Sequence, residues 1–148
     1  MESTSQTSEP LIVERVLNAP ATKIWEALSD INKIKQWYFQ LEEFKAEVGF
    51  TFEFEGGDET QVYLHRCVIT EVIPGKKLAY TWAYPEFHKG ESEVSFELFP
   101  EGDRTLVRIT HVGLENFPSH LPSFARESFN GGWNHILGIS LKDFVEKG

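Results

Sequence analysis

The chain has 148 residues, a net charge of −9 and one cysteine. That length fits a single domain able to bury a core without disulfide or metal staples. The acidity, with no run of Lys and Arg, excludes the basic patch of a nucleic-acid binder and electrostatic attachment to an anionic membrane.

Residues 1–10 (MESTSQTSEP) read as a disordered polar tail with no apolar stretch of the signal-peptide kind. Leu11 to Leu17 (LIVERVL) is aliphatic and β-branched, the pattern of a strand. Arg15 within it points either to the strand edge or to the interior, where it would require a carboxylate. Asn18-Ala19-Pro20 breaks the strand, and Pro20 suits the opening of a helix. Ile24, Trp25, Leu28 and Ile31 recur at helical spacing, with Trp25 the expected rivet between helix and sheet. Asp30 is placed to cap a second short helix, Ile31 to Trp37, whose apolar positions are Ile34 and Trp37. Trp37-Tyr38-Phe39 then forms either a plug of core rings or the rim of a cavity.

Strands follow. Leu41 to Ala46 is a weak, mixed candidate. Phe50 to Glu55 alternates strictly, so Phe50, Phe52 and Phe54 share one face. Gly56-Gly57-Asp58 is a turn. Gln61 to Ile73 is long enough to require a bend or bulge; Tyr63, His65 and Cys67 share a face with Ile69 and point inward if the bulge does not precede them. Cys67, without a partner, excludes an internal disulfide and fits a reducing compartment. Pro74-Gly75 turns the chain into Lys77 to Tyr84, where Leu78, Tyr80, Trp82 and Tyr84 lie together. Glu91 to Phe99 aligns Val94, Phe96 and Leu98, and Arg104 to Val112 aligns Val107, Ile109 and His111. Short turns between these strands imply antiparallel hairpins and a meander of six or seven strands.

Gly113 to Pro122 reads as a loop. Phe129, Trp133, Ile136, Leu137, Leu141 and Phe144 then make an apolar stripe about four turns long. A sheet with one amphipathic helix after it buries that stripe on its concave face. Gly131-Gly132 inside the helix implies close packing against the sheet, a kink, or room for a ligand. No stretch approaches the length of a membrane span, and a soluble cytoplasmic protein is expected.

The chain contains 12 Phe, 4 Trp and 4 Tyr, enough rings to fill a thick core or to line a concave site. Hydrolase, zincin, P-loop and dinucleotide motifs are absent from the sequence. The five histidines lack helical ligand spacing, so neither metal nor cofactor is expected. His111 is either a hydrogen-bonded core residue, a polar anchor for a ligand, or an acid–base group. The candidate ligand-binding residues are Trp37, Phe52, Tyr63, Tyr80, Trp82, Phe96, His111, Phe129 and Trp133: the rings supply area, and Tyr63 and His111 supply orientation.

The segment VERVLNAPATKIWEALSDINKIKQWY, with Gly49-Phe-Thr-Phe52, VITEVIPGKKLAYTW, Thr105-Leu-Val-Arg-Ile-Thr-His-Val-Gly113 and the closing Gly132-Trp133…Leu137…Leu141…Phe144, resembles the START-like (SRPBCC) superfamily. Within it, the chain is most similar to the domain family named for the activator of the heat-shock-protein-90 ATPase. The resemblance covers residues 11 to about 146. It implies an α+β helix-grip fold, a curved antiparallel sheet around a long C-terminal helix with a cavity between them, forming one domain over residues 11–148. It also implies binding of a small hydrophobic or aromatic molecule, lipid-like or polyketide-like. A cyclase or hydrolase using the same cavity is the enzymatic alternative. A co-chaperone module with a chaperone partner is the third; the eukaryotic co-chaperones carry an additional N-terminal domain for much of that contact, which nothing before residue 11 is expected to supply. The superfamily's lack of a shared catalytic motif means that it assigns no catalytic residue here.

Overall fold

A computed structural model describes residues 9–38, 41, 43–57, 62–85, 88–117 and 126–147. The expected tail (residues 1–8 of it), Phe39, Asp58, Gln61 and residues 118–122 of the expected loop lie outside the described residues.

Six strands form one antiparallel sheet: β1 (Leu11–Leu17), β2 (Thr51–Gly57), β3 (Val62–Ile73), β4 (Lys77–Tyr84), β5 (His88–Glu101) and β6 (Arg104–Val112). Their order across the sheet is β1-β6-β5-β4-β3-β2. β2 to β6 are thus a plain meander, while β1 closes the far side by pairing with β6, Leu11 opposite His111 and Leu17 opposite Thr105. Since β1 and β2 lie at opposite edges, the connection between them must cross the sheet's full width. Two helices, α1 (Ala21–Ser29) and α2 (Ile31–Trp37), make that crossing over the concave side.

Each helix forms for a local reason. The Pro20 carbonyl accepts from Lys23 and Ile24 N–H to open α1. The Asp30 carboxylate accepts from Asn32 N–H at 2.8 Å, capping α2 as its position predicts. The Asn18–Pro20 corner is held from two sides. Thr105 donates its buried hydroxyl to the Ala19 carbonyl, and Asn18 N–H donates to Glu146 near the end of the chain. Trp25 is only half-buried; Ile24, Ala27 and Leu28 are the side chains that seat α1 on the core.

The alternation of the strands holds. Phe52 and Phe54, Leu78 to Tyr84 in steps of two, Val94, Phe96 and Leu98, and Val107, Ile109 and His111 are all buried. β3 carries its bulge after the inward run, not before it: the register with β4 shifts between Ile69 and Glu71. His65, Cys67 and Ile69 therefore point into the core and Tyr63 is half-buried, whereas beyond the shift Val72 takes the place opposite Leu78. Leu41 to Ala46 is not a strand; its described residues follow an irregular path, with Leu41 and Phe44 buried as single anchors.

α3 (Arg126–His135), a π-helical stretch (Ile136–Leu141) and α4 (Lys142–Lys147) run on as one closing helix. Its buried residues are Phe129, Trp133, Leu137, Leu141 and Val145, in steps of four. An α-helix turns about 100° per residue, so four-residue steps drift steadily off one face. The wider π turn absorbs part of that drift and keeps all five on the sheet. It also moves Val145 into the buried place expected for Phe144, which is half-buried. Gly131 and Gly132 correct another expectation. Both are exposed, and a Cβ on either would meet nothing within 4 Å, so neither is there for close packing on the sheet. Close approach occurs at Gly138 in the π stretch, where a Cβ would lie 3.4 Å from Arg15 Nε. Arg15 is exposed at the sheet edge and reaches the helix rather than an interior carboxylate, donating to Asn134 Oδ1 at 2.8 Å.

Candidate functional site

Eight of the nine candidate residues fall into two groups on the sheet's inner face, with Phe96 bridging them. The first surrounds a narrow gap between the α1–α2 pair and the sheet, lined by Trp37, Phe52, Tyr80 and Phe96 together with Leu28, Ile34, Tyr38, Phe44 and Leu78. The gap is too narrow at every point to hold a water molecule. Phe52 stands edge-on to Tyr80 (5.2 Å between ring centres, 71°) and to Phe44 (5.1 Å, 72°), and Tyr80 stacks on Phe96 at 6.3 Å. Trp37 is anchored by its indole N–H, which donates to the Ala27 carbonyl at 2.9 Å.

One polar feature interrupts this apolar lining. The hydroxyls of Tyr38 and Tyr80 share a hydrogen bond of 2.8 Å. Tyr38 is brought there because α2 ends at Trp37 and its next residue is extended (φ −105°, ψ −150°), so that consecutive rings both turn inward. Burial pushes both phenols well above their usual pKa, and each remains a neutral hydroxyl. A phenol donates one hydrogen bond and accepts more, so one bond between two phenols leaves capacity at Tyr80 Oη.

The second group is a closed hydrogen-bonded cluster. Trp133 Nε1–H donates to His111 Nδ1 at 3.0 Å, so His111 carries its proton on Nε2 and donates to Ser92 Oγ at 2.6 Å. Ser92 in turn donates to the Trp82 carbonyl at 3.4 Å. Trp82 donates its own N–H to Tyr84 Oη at 2.8 Å. Phe129 stands edge-on to the His111 ring at 5.2 Å, and Trp82 to Trp133 at 5.3 Å. His111 is fully buried, and that burial lowers its pKa to about 3, so it is neutral. Both its ring nitrogens are engaged within the protein. Tyr63 belongs to neither group; it is half-buried at the margin, edge-on to Tyr84 at 5.7 Å.

Burial also lowers the pKa of His65, to about 4; it stacks on Phe54 at 4.6 Å and its Nδ1 lies 2.9 Å from the Tyr63 carbonyl. Cys67 is fully buried with its thiol pKa pushed up, which makes it a small apolar residue of the core. Among the described residues the buried polar side chains outside the tyrosines and tryptophans are His65, Ser92, Thr105 and His111. The described interior therefore holds no buried carboxylate, ammonium or guanidinium. Among the described residues no three His, Cys, Asp or Glu are grouped to hold a metal ion, and no helix is long and apolar enough to cross a membrane.

Ser92 is the functional neighbour that sequence reasoning passed over. Counting back two from Val94 on β5 places it inward, but a small polar residue at a strand's start carries no apolar signal. Phe44 was hidden for the opposite reason: its burial comes from an irregular segment with no period to read.

Residues 18–146 match the family model described as "Activator of Hsp90 ATPase homolog 1-like protein". No functionally curated protein matches the chain. Several solved structures share the fold. Protein MLL2253 from Mesorhizobium loti is 24% identical, with 94% of this chain and 98% of that one aligned at a TM-score of 0.74. CalU16 from Micromonospora echinospora is 25% identical over 92% of this chain and 75% of its own, at 0.71. The chain in the Aha1 dimer from Colwellia psychrerythraea is 24% identical over 93% and 96%, at 0.70.

Proposed function

The chain belongs to the family of Activator of Hsp90 ATPase homolog 1-like proteins, and from that premise we propose that it binds a small, uncharged, largely aromatic molecule between its sheet and the α1–α2 pair. Helix-grip proteins of this family typically bind ligands. The observation that carries the reading is the gap beside Trp37: an aromatic-walled space with one pair of hydroxyls and no charge. Such a lining favours flat apolar molecules, with the few polar groups setting orientation. A charged ligand would enter a described interior that offers no counter-charge, at a large desolvation cost.

The gap is thin in the closed form, so binding requires the surrounding rings to give way. Ordinary close-packed cores resist that. Here α2 contributes only Ile34 and Trp37 as buried side chains, a weak attachment for one wall. Native mass spectrometry of the purified protein, followed by titration with a panel of fatty acids, sterols and aromatic acids and their neutral analogues, tests the reading. The expected result is saturable one-to-one binding of neutral aromatic members. Absence of any bound or co-purifying molecule across the panel overturns it.

A further inference from the structure

Trp37 lines both the interior gap and an outer groove of about 300 Å³ that opens to solvent between α2 and the closing helix. The groove's other described walls are Gln36, Ser140, Asp143 and Phe144. On this side of the molecule the Trp37 indole lies between the groove and the gap. Its neighbour Tyr38 stands behind it, 5.3 Å between ring centres, with the Tyr38–Tyr80 hydroxyl pair further in.

The element carrying Trp37 is suited to move. α2 is seven residues long, below the length at which an isolated helix holds itself. Its described attachments include the two buried side chains, half-buried Ile31, the indole bond to the Ala27 carbonyl and an exposed Lys33–Glu26 ion pair to α1, few of them to the sheet itself. The facing wall is the π-helical stretch containing Ser140, a helix geometry with poorer intrinsic stability than α. By contrast the opposite end of the concave face, around His111 and Trp133, is closed by the chain of hydrogen bonds described above.

We propose that the groove between α2 and the closing helix is the entrance to the interior, that Trp37 is its gate, and that the molecule admitted is a flat aromatic bearing one hydroxyl or carbonyl, held by Tyr80. This rests on the ligand-binding reading and adds the route and the anchor. When Trp37 swings outward it vacates a slot of aromatic shape against Phe52, Tyr80 and Phe96. A planar ring refills that slot. Tyr80 Oη retains hydrogen-bonding capacity within the lining: it donates to a ketone when it accepts from Tyr38, and accepts from a phenol whichever hydroxyl of the pair donates.

The test uses the full chain with Gln36→Cys and Ser140→Cys, two groove-lining positions outside the buried core. Native Cys67 is fully buried and does not react. The two new thiols are bridged by a short bismaleimide, or capped singly with N-ethylmaleimide as the reference. Binding of 2-naphthol is followed by stopped-flow fluorescence. The expected result is association at least 10-fold slower in the bridged protein than in the capped one. Equal rates overturn the entrance while leaving ligand binding intact; absence of binding in both the capped and the unmodified protein overturns the ligand-binding reading itself. Two further measurements isolate gate and anchor. Trp37→Phe keeps a ring but loses the bond to Ala27, and it speeds association and dissociation together by several-fold; unchanged rates overturn the gate. Unmodified protein prefers 2-naphthol to naphthalene by about 3- to 10-fold, the worth of one hydrogen bond, and Tyr80→Phe abolishes the preference. Equal affinity for both molecules in the unmodified protein overturns the anchor.

Discussion

Trp133 donates its indole N–H to Nδ1 of His111 at 3.0 Å, and that bond assigns the imidazole a structural part. The closing helix supplies the donor and β6 the acceptor. The contact therefore ties the helix to the sheet at the end remote from α2, and it sets the Nε2–H tautomer that reaches Ser92.

The first prediction concerns pH. The folded pKa of His111 is lowered to about 3 against an unfolded value near 6.5, so below pH 6.5 the unfolded chain takes up a proton that the folded chain refuses. The stability it contributes is complete above pH 6.5 and falls as pH drops toward 3. From pH 7 to pH 5 the loss from this one residue is about 2 kcal/mol. His65, with a folded value of about 4, adds in the same direction. His111→Gln retains an acceptor for Trp133 and a donor for Ser92 without titrating. Urea unfolding at pH 7 and pH 5 shows a smaller drop in this variant than in the unmodified protein; equal drops refute the assignment.

The tyrosine pair predicts non-additivity. Tyr38→Phe and Tyr80→Phe each remove one partner from a buried bond and leave the other hydroxyl short of it, costing about 1–3 kcal/mol apiece. The double variant removes both and costs less than the sum. Equilibrium denaturation of the three variants gives the coupling directly, and strict additivity contradicts a shared bond.

Glycine substitutions separate the helix from the loop before it. Gly131→Ala and Gly132→Ala place a methyl in open space on an exposed helical face, so each raises stability, by about 1 kcal/mol at most. Gly113→Ala lowers it, because Gly113 has φ +88° and a Cβ there would stand 3.1 Å from the Ser92 backbone. Thermal denaturation ranks the three; a loss at Gly131 or Gly132 contradicts their open placement.

Helix truncation gives the scale of the closing grip. Leu137→Ala removes a fully buried side chain from the middle of the five-residue stripe and costs about 2–5 kcal/mol, whereas Ile139→Ala on the exposed side stays within about 0.5 kcal/mol. Similar costs at both positions contradict the register given by the π turn.

The strands were legible because a period of two is short and each had rings or branched residues to mark it. Phe52, Tyr80, Trp82, Phe96 and His111 were placed on the correct face by counting alone. The π turn was not legible: Ile136 to Leu141 has an ordinary helical pattern, and only the position of Val145 against Phe144 betrays the extra residue. Gly131-Gly132 misled because a helical glycine signals close approach only if its face is known, and that face is set by the same turn. Of the site, the sequence marked the rings but not their division into a sealed cluster around His111 and a gap beside Trp37. That division depends on where α2 lies over the sheet and on the bond between Tyr38 and Tyr80, forty-two residues apart. Neither has a local signal.

Titration of isotopically labelled protein with 2-naphthol, followed by the NMR signals of the Trp37 indole N–H and the Tyr80 ring, tests the central claim most directly. The account predicts one-to-one saturable shifts at both, with the Trp133 indole N–H little changed behind its bond to His111. Shifts confined to exposed side chains, or no saturable shift at Trp37 and Tyr80, would contradict it.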